Sequence, residues 1–301
     1  MKKIISITLC LCMILSVSFI HCEKECGAKA KSNIVKISVM GSYNYKVAQY
    51  ILQYTNKERS KRGLSKLKMD KSLMKAAMKR ACEISVYVSE KHIRPNGKDR
   101  ASLNRKIQWE NTIEGQDSPY FTSKSQVERY YKKLAKNLVK DWMDSPHHRE
   151  GILKGNFKSI GVGVFMSGSW TYASQEFSSH KARKKCKSYK VGKAKYHKVS
   201  TQKKHVLKKY FKIVSSVVDY IEGEKGSFYI IHKNPYFSAM QIMVNPKQFK
   251  YSSSNKSVAT INKKGEFVIL KKGVTTFKAT YKGNKKVVLK KKIRVEAWDE
   301  E

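Results

Sequence analysis

The hydrophobic period of this chain changes between Trp142 and Ile160, and that change limits what the chain can fold into. Before it, apolar residues recur at three- and four-residue intervals, as the buried face of a helix requires; after it they alternate, as a half-buried strand requires. Val47, Ile51 and Tyr54 mark a helix over Tyr45 to Arg59, with Gly63 as its stop. Asp70 is placed to cap a second helix, whose apolar stripe is Leu73, Ala76, Ala77, Ala81 and Ile84. Pro95-Asn96-Gly97 reads as a turn. A third helix runs through Val127, Tyr131, Leu134, Leu138 and Trp142 until Ser145-Pro146, because a residue before proline avoids the helical region. Ile160 to Phe165 and Trp170 to Phe177 then form a hairpin around Ser167-Gly168-Ser169. The fold class expected for the first half is α+β, in one domain over 45–180.

The second half carries no helical period. Residues 181–210 contain thirteen Lys or Arg and no Asp or Glu, with few large aliphatics, and read as a Lys-rich linker. Beyond it, Lys212 to Tyr220, Gly226 to His232, Gln241 to Val244, Val258 to Ile261, Phe267 to Leu270, Val274 to Tyr281 and Val287 to Val295 are short β-branched or aromatic runs. Turn signals such as Asn234-Pro235, Asn245-Pro246 and Lys282-Gly283-Asn284 separate them. Strands at this spacing predict a small all-β sandwich over 211–298.

The N-terminus bears on compartment. Lys2 and Lys3 precede an apolar run from Ile4 to Ile20, and Ala28-Lys29-Ala30 offers small residues for cleavage, so residues 1–30 read as a signal peptide and the mature chain as secreted or extracellular, with cell-wall association a further expectation. Cys22 in a lipoprotein is the lesser reading, since Phe19-Ile20-His21 lacks the small residues expected before a lipidated cysteine. Cleavage after Ala30 leaves Cys82 and Cys186, either paired or, for Cys82 on its helix stripe, a small buried hydrophobe.

The 301 residues carry 63 Lys and Arg against 23 Asp and Glu, a formal net charge of +40. The surplus falls in both halves, 32 basic and 15 acidic residues before position 181 and 31 and 8 after it. Dispersed lysine without a groove-entering element argues against a specific nucleic-acid partner, because base readout favours arginine on such elements. Outside the cytoplasm, the partner this charge implies is an anionic cell-wall polymer or membrane surface.

Several blocks taken in order carry a resemblance: Thr55-Asn56-Lys57-Glu58-Arg59, Gly63-Leu64, Lys91-His92-Ile93-Arg94-Pro95, Glu110-Asn111, Trp142 through Ser145-Pro146-His147-His148-Arg149 to Leu153, and Ile160-Gly161-Val162-Gly163. Over roughly 45–178 they resemble the bacterial branch of the CAP superfamily, the SCP-like extracellular domain. The resemblance implies an α-β-α sandwich with a cleft lined by two histidines and acidic residues, which in some relatives holds a divalent metal. Carried over by position, His92 and His148 fill the histidine places and Glu110 one glutamate place; the other glutamate place is Ser145, and Asp144 next to it points elsewhere. Glycines usual before the glutamate and before the second histidine are Trp109 and His147 here. The stretch Tyr251 to Gly265, with Leu270 to Gly273 and Thr276 to Thr280, is similar to bacterial immunoglobulin-like repeats, which implies an immunoglobulin-like sandwich serving as a spacer or adhesive element.

From chemistry alone, His92, Glu110 and His148 fit three readings: an open metal site for a divalent ion such as zinc, a general acid/base cluster, or histidines hydrogen-bonded to backbone and carboxylate with no chemistry. No nucleophile is legible, since Ser145 and Ser174 lack a triad signature, so a hydrolase would act through an activated water; Arg149 reads as a helix-end or carboxylate partner. The expectation is a binding module for a lipid, a small apolar molecule or a protein ligand, and not an enzyme. The alternative is a metal-dependent hydrolase of wall or peptide substrate using His92, Glu110 and His148.

Overall fold

The alternation Val35, Ile37, Val39 opens the described chain as a strand, β1 (Ile34–Tyr43), ahead of the first helix. The computed structural model describes residues 33–117, 119, 121–183 and 190–296. The expected signal peptide 1–30, with Cys22 and Cys26, and the position Cys186 lie outside the described residues.

Helix α1 (Tyr45–Ser60) starts at Asn44, whose Oδ1 accepts the Val47 amide at 3.0 Å. The short β2 (Lys68–Met69) leads to α2 (Lys71–Ile84), where Asp70 caps as expected, accepting the amides of Ser72 and Leu73 at 2.8 and 3.1 Å. A loop with a left-handed Gly97 leads to β3 (Trp109–Gln116) and α3 (Lys124–Asp144), which Ser123 and Gln126 start with reciprocal side-chain caps. Ser145 ends α3, but Pro146 is also the first residue of α4 (Pro146–Leu153), a proline position compatible with helix because its missing N–H is needed by no one there. β4 (Ser159–Ser167) and β5 (Trp170–Ser178) form the expected hairpin, turning at Gly168 with φ 56°.

Glycines on β4 decide how close the helix layer comes. A Cβ on Gly161 would lie 2.2 Å from the Leu73 carbonyl carbon, and one on Gly163 would lie 2.1 Å from that of Ala77, so α2 rests on the strand backbone itself. The alternate residues Ile160, Val162 and Val164 pack with Val47 and Ile51 of α1 and Leu138 and Trp142 of α3. The result is a helix–sheet–helix layering with β4 flanked by β1 and β5, and β3 at the far edge. Cys82 is buried with a free thiol.

Each expected strand run of the second half contains a strand, although in Lys212 to Tyr220 it ends at Ser215: β7 (Phe211–Ser215), β8 (Lys225–Lys233), β9 (Gln241–Val244), β11 (Ala259–Ile261), β12 (Glu266–Ile269), β13 (Gly273–Tyr281) and β14 (Val288–Val295). Two more were not expected, β6 (Lys195–Gln202) and β10 (Phe249–Ser253). β6 corrects the linker expectation for 195–202. Val199 and Thr201 turn inward while Lys195 and Lys198 stay exposed, and the whole strand pairs antiparallel with β1 from Ile34 to Gly41. β1 pairs with β4 at Ser42 and Tyr43 and with β9 at Val39, so it belongs to the strands of both halves. β10, β13 and β14 form a separate three-stranded antiparallel sheet.

Candidate functional site

The site grows from one register. In the antiparallel pair β3–β5, Glu110 sits directly opposite Glu176, and every residue of β5 is buried. Two carboxylates so placed cannot both keep a charge in a dry environment. Burial raises the Glu176 carboxyl well above its ordinary range and the Glu110 charge raises it further, so Glu176 stays protonated; Ser174 Oγ donates to its Oε1 at 2.7 Å. Burial pushes Glu110 the same way, but the guanidinium of Arg80 and the His92 contact outweigh it and hold Glu110 well below the usual carboxylate range.

Arg80 comes from α2 and is as buried as its partner. Its Nε donates to Glu110 Oε2 at 2.9 Å and its Nη2 to Oε1 at 3.2 Å, a two-point clamp between side chains 1% and 0% exposed. One turn further along α2, Glu83 binds Arg94 by a second buried two-point pair at 2.6 and 2.9 Å, and Arg94 Nη1 donates to Ser102 Oγ at 2.8 Å. This second pair anchors the loop that carries His92. The His92 backbone is held at φ 56°, the one positive φ among the described non-glycine residues, which marks a conformation imposed by its surroundings. Its Nδ1 meets Glu110 Oε1 at 2.7 Å.

His148 enters from α4. Asn111 Nδ2 donates to the His148 carbonyl at 2.9 Å and to Gln175 Oε1 at 3.2 Å, and Gln175 Nε2 reaches Thr55 Oγ1 at 2.8 Å, so a buried amide chain joins α4, β3, β5 and α1. Burial lowers the His148 imidazole, with His147 and His92 adding to the effect, which favours the neutral ring. Trp109, standing where a glycine is usual, lies against α4 at Gly151, where an added Cβ would come within 2.3 Å of its Nε1. The exposed His147 stacks obliquely near Trp109, ring centres 4.9 Å apart, and near His92 at 6.2 Å.

Of the three sequence-derived residues, the structure joins His92 to Glu110 directly, and His148 lies within the electrostatic reach of His92 without a hydrogen bond to either. Asp144 points away, ion-paired with Lys140 at 2.5 Å on the exposed side of α3, and Arg149 donates to the Met143 carbonyl at the end of α3 at 3.0 Å. Among the described residues, no group of three or more His, Cys, Asp or Glu is disposed to hold a metal ion. Both Glu110 oxygens are engaged by Arg80 and one also by His92, so as placed Glu110 does not fit as a metal ligand beside the two imidazoles. Arg80 and Glu176 were missed from sequence. A glutamate inside an otherwise buried strand, and an arginine on the buried stripe of α2, were the signals for them, since a buried charge demands a partner.

The fold and site define a helix–sheet–helix domain with a histidine–carboxylate cluster fixed by buried ion pairs. Residues 52–178 match the CAP family model, described as the Cysteine-rich secretory protein family, so the chain carries a CAP-family domain. The uncharacterized protein YkwD of Bacillus subtilis (strain 168) is 29% identical over 159 residues, 50% of this chain and 56% of that protein, so the chain spans about half the length of this curated relative. Among solved structures, an extracellular protein containing a SCP domain from Bacillus anthracis str. Ames is 19% identical with a TM-score of 0.33, covering 45% of this chain and 41% of that one. An outer surface protein from Borrelia burgdorferi is 15% identical with a TM-score of 0.35, covering 47% and 98%. No helix among the described residues is long and apolar enough to cross a membrane.

Proposed function

We propose that this is an exported, envelope-associated or secreted protein whose CAP-family domain is a binding module for a lipid, a small apolar molecule or a protein, held near anionic cell-wall polymer by its charge. The observation that carries the reading is the Arg80 clamp on Glu110. A hydrolase using Glu110 as base or metal ligand would first have to release it from a buried guanidinium, and breaking such a pair costs about 3–5 kcal/mol. The accessible lip of this cluster, formed by His92, Trp109 and His147, is aromatic, with the Lys154 ammonium 5.4 Å from the centre of the Trp109 ring, which suits a flat ligand. The resemblance of the second half to immunoglobulin-like repeats supports a spacer role for it.

The experiment is to incubate the exported protein with purified cell-wall material, measuring both bound protein and released fragments. The reading expects salt-sensitive retention without released sugar or peptide. Release of fragments that disappears in His148→Ala would establish the hydrolase instead.

A further inference from the structure

The basic charge is not uniform in kind. On the helical side, a groove between α1 and α3 gathers Lys57, Lys61, Arg62, Lys136, Lys140 and Arg149, but acids are interleaved with them: Glu58 pairs with Lys61 at 2.6 Å and Arg62 at 3.2 Å, and Asp144 pairs with Lys140. Half of those cations are therefore ion-paired. The outward face of the β10–β13–β14 sheet is different.

In that sheet Phe277, Ala279, Tyr281, Leu289, Ile293 and Val295 turn inward and are buried. The opposite face therefore presents Lys250, Lys278, Lys290, Lys292 and Arg294, all exposed, with Ser252, Thr276 and Thr280 between them. None of the three strands contains an acidic residue, and none of the five cations has an ion-pair partner among the described residues. The register sets Lys278 directly opposite Lys290, with Thr276 opposite Lys292 and Ser252 opposite Lys278. Like charges directly opposite each other destabilise a sheet, so this arrangement is a cost to the fold that an anionic partner would remove. Lys290, Lys292 and Arg294 recur at about 7 Å along one strand, and the neighbouring strand lies about 4.8 Å away. These separations are within the screening length of about 8 Å at physiological salt, so the fields add.

We propose that this sheet face binds a linear, base-free phosphate polymer, the cations pairing with successive phosphates and the Ser and Thr hydroxyls donating between them. The proposal deepens the attachment reading above and rests on it. Its chemistry favours phosphate chain over nucleic acid, because the face presents no aromatic side chain on which bases stack. It favours a polymer over a lipid surface, because its apolar members are only Val274 and Val288, too small to anchor in an interface.

The test uses long-chain inorganic polyphosphate as probe and measures affinity over a salt series. Four proteins are compared: wild type; a face variant with Lys278→Gln, Lys290→Gln, Lys292→Gln and Arg294→Gln; a distributed control with Lys61→Gln, Lys71→Gln, Lys132→Gln and Lys198→Gln; and a conservative variant with Lys278→Arg, Lys290→Arg and Lys292→Arg. The face variant is expected to lose at least tenfold affinity and about 3 from the slope of log affinity on log salt, as for four phosphate contacts. The control should change little and the Arg variant should bind as wild type does. Equal losses in the face variant and the control overturn the face while leaving charge-driven attachment intact. Wild type that fails to bind polyphosphate at physiological salt overturns the attachment reading itself. Tenfold preference for a thymidine oligonucleotide of equal charge, or for anionic phospholipid vesicles, with either preference lost in the face variant, overturns the phosphate-polymer assignment.

Discussion

Glu110 and Glu176 face each other across β3 and β5, and the protein accommodates the pair by ionising the first against Arg80 and keeping the second protonated beside Ser174. The division of roles follows from position. Arg80 forks onto the two oxygens of Glu110, whereas Glu176 lies in a fully buried strand with a hydroxyl as its hydrogen-bonding neighbour.

Arg80→Met therefore removes the partner of a buried charge without opening a large cavity. The expected loss is about 3–5 kcal/mol at pH 7 by urea denaturation. Because Glu110 is held below its unfolded value in the wild type, its contribution is present above that value and is lost as pH falls. The gap between variant and wild type should accordingly narrow at pH 4. A gap independent of pH would mean that Arg80 acts by packing alone.

Glu176→Gln replaces a neutral acid with a neutral amide of the same shape. Its cost at pH 7 should stay under about 1 kcal/mol. A carboxyl raised by folding contributes its full stability below its unfolded value and gives it up as pH rises from there toward its folded value, so the Gln variant should gain on wild type between about pH 5 and pH 7. Thermal midpoints at the two pH values check the sign.

Two further buried imidazoles set acid sensitivity. His232 on β8 meets the His205 carbonyl at 2.8 Å, and His205 stacks on Tyr87 with ring centres 3.8 Å apart. Burial pushes both rings down to about 4, helped at His205 by Lys204. The unfolded chain takes up protons first, so stability is full above about pH 6.5 and is lost between there and pH 4, on the order of 3 kcal/mol for His232 alone. Replacing His232 by Phe should flatten the pH dependence of the denaturation midpoint over that window.

Gly161→Ala and Gly163→Ala each drive a methyl into the backbone of α2, at Leu73 and Ala77. Each should cost about 3 kcal/mol or more, because the obstacle is backbone rather than a mobile side chain. Thermal unfolding of the single variants measures this.

Much of the fold was legible because periodicity reports burial directly. The three long helices and the runs of the second half each present one apolar face, while the β4–β5 hairpin alternates large apolar with small or polar residues although it is buried on both faces. β6 escaped because its lysines mask a short alternation, Val199 and Thr201, whose partner β1 lies far away in the chain. α4 escaped because Ser145-Pro146 signals a stop, while the same proline also starts a helix. At the site, His92 and Glu110 were legible by position. Arg80 and Glu176 were not, because a buried ion pair depends on the register of β3 against β5 and on the depth of α2, neither of which a linear sequence displays.

The most direct test of the claim that the cleft is a closed, ion-paired frame is a calorimetric zinc titration of native protein beside the His92→Ala, His148→Ala double variant. The account predicts that the two titrate alike, with Glu110 remaining on Arg80. One tightly bound zinc per native chain, abolished in the double variant, would contradict it and place a metal where the clamp now stands.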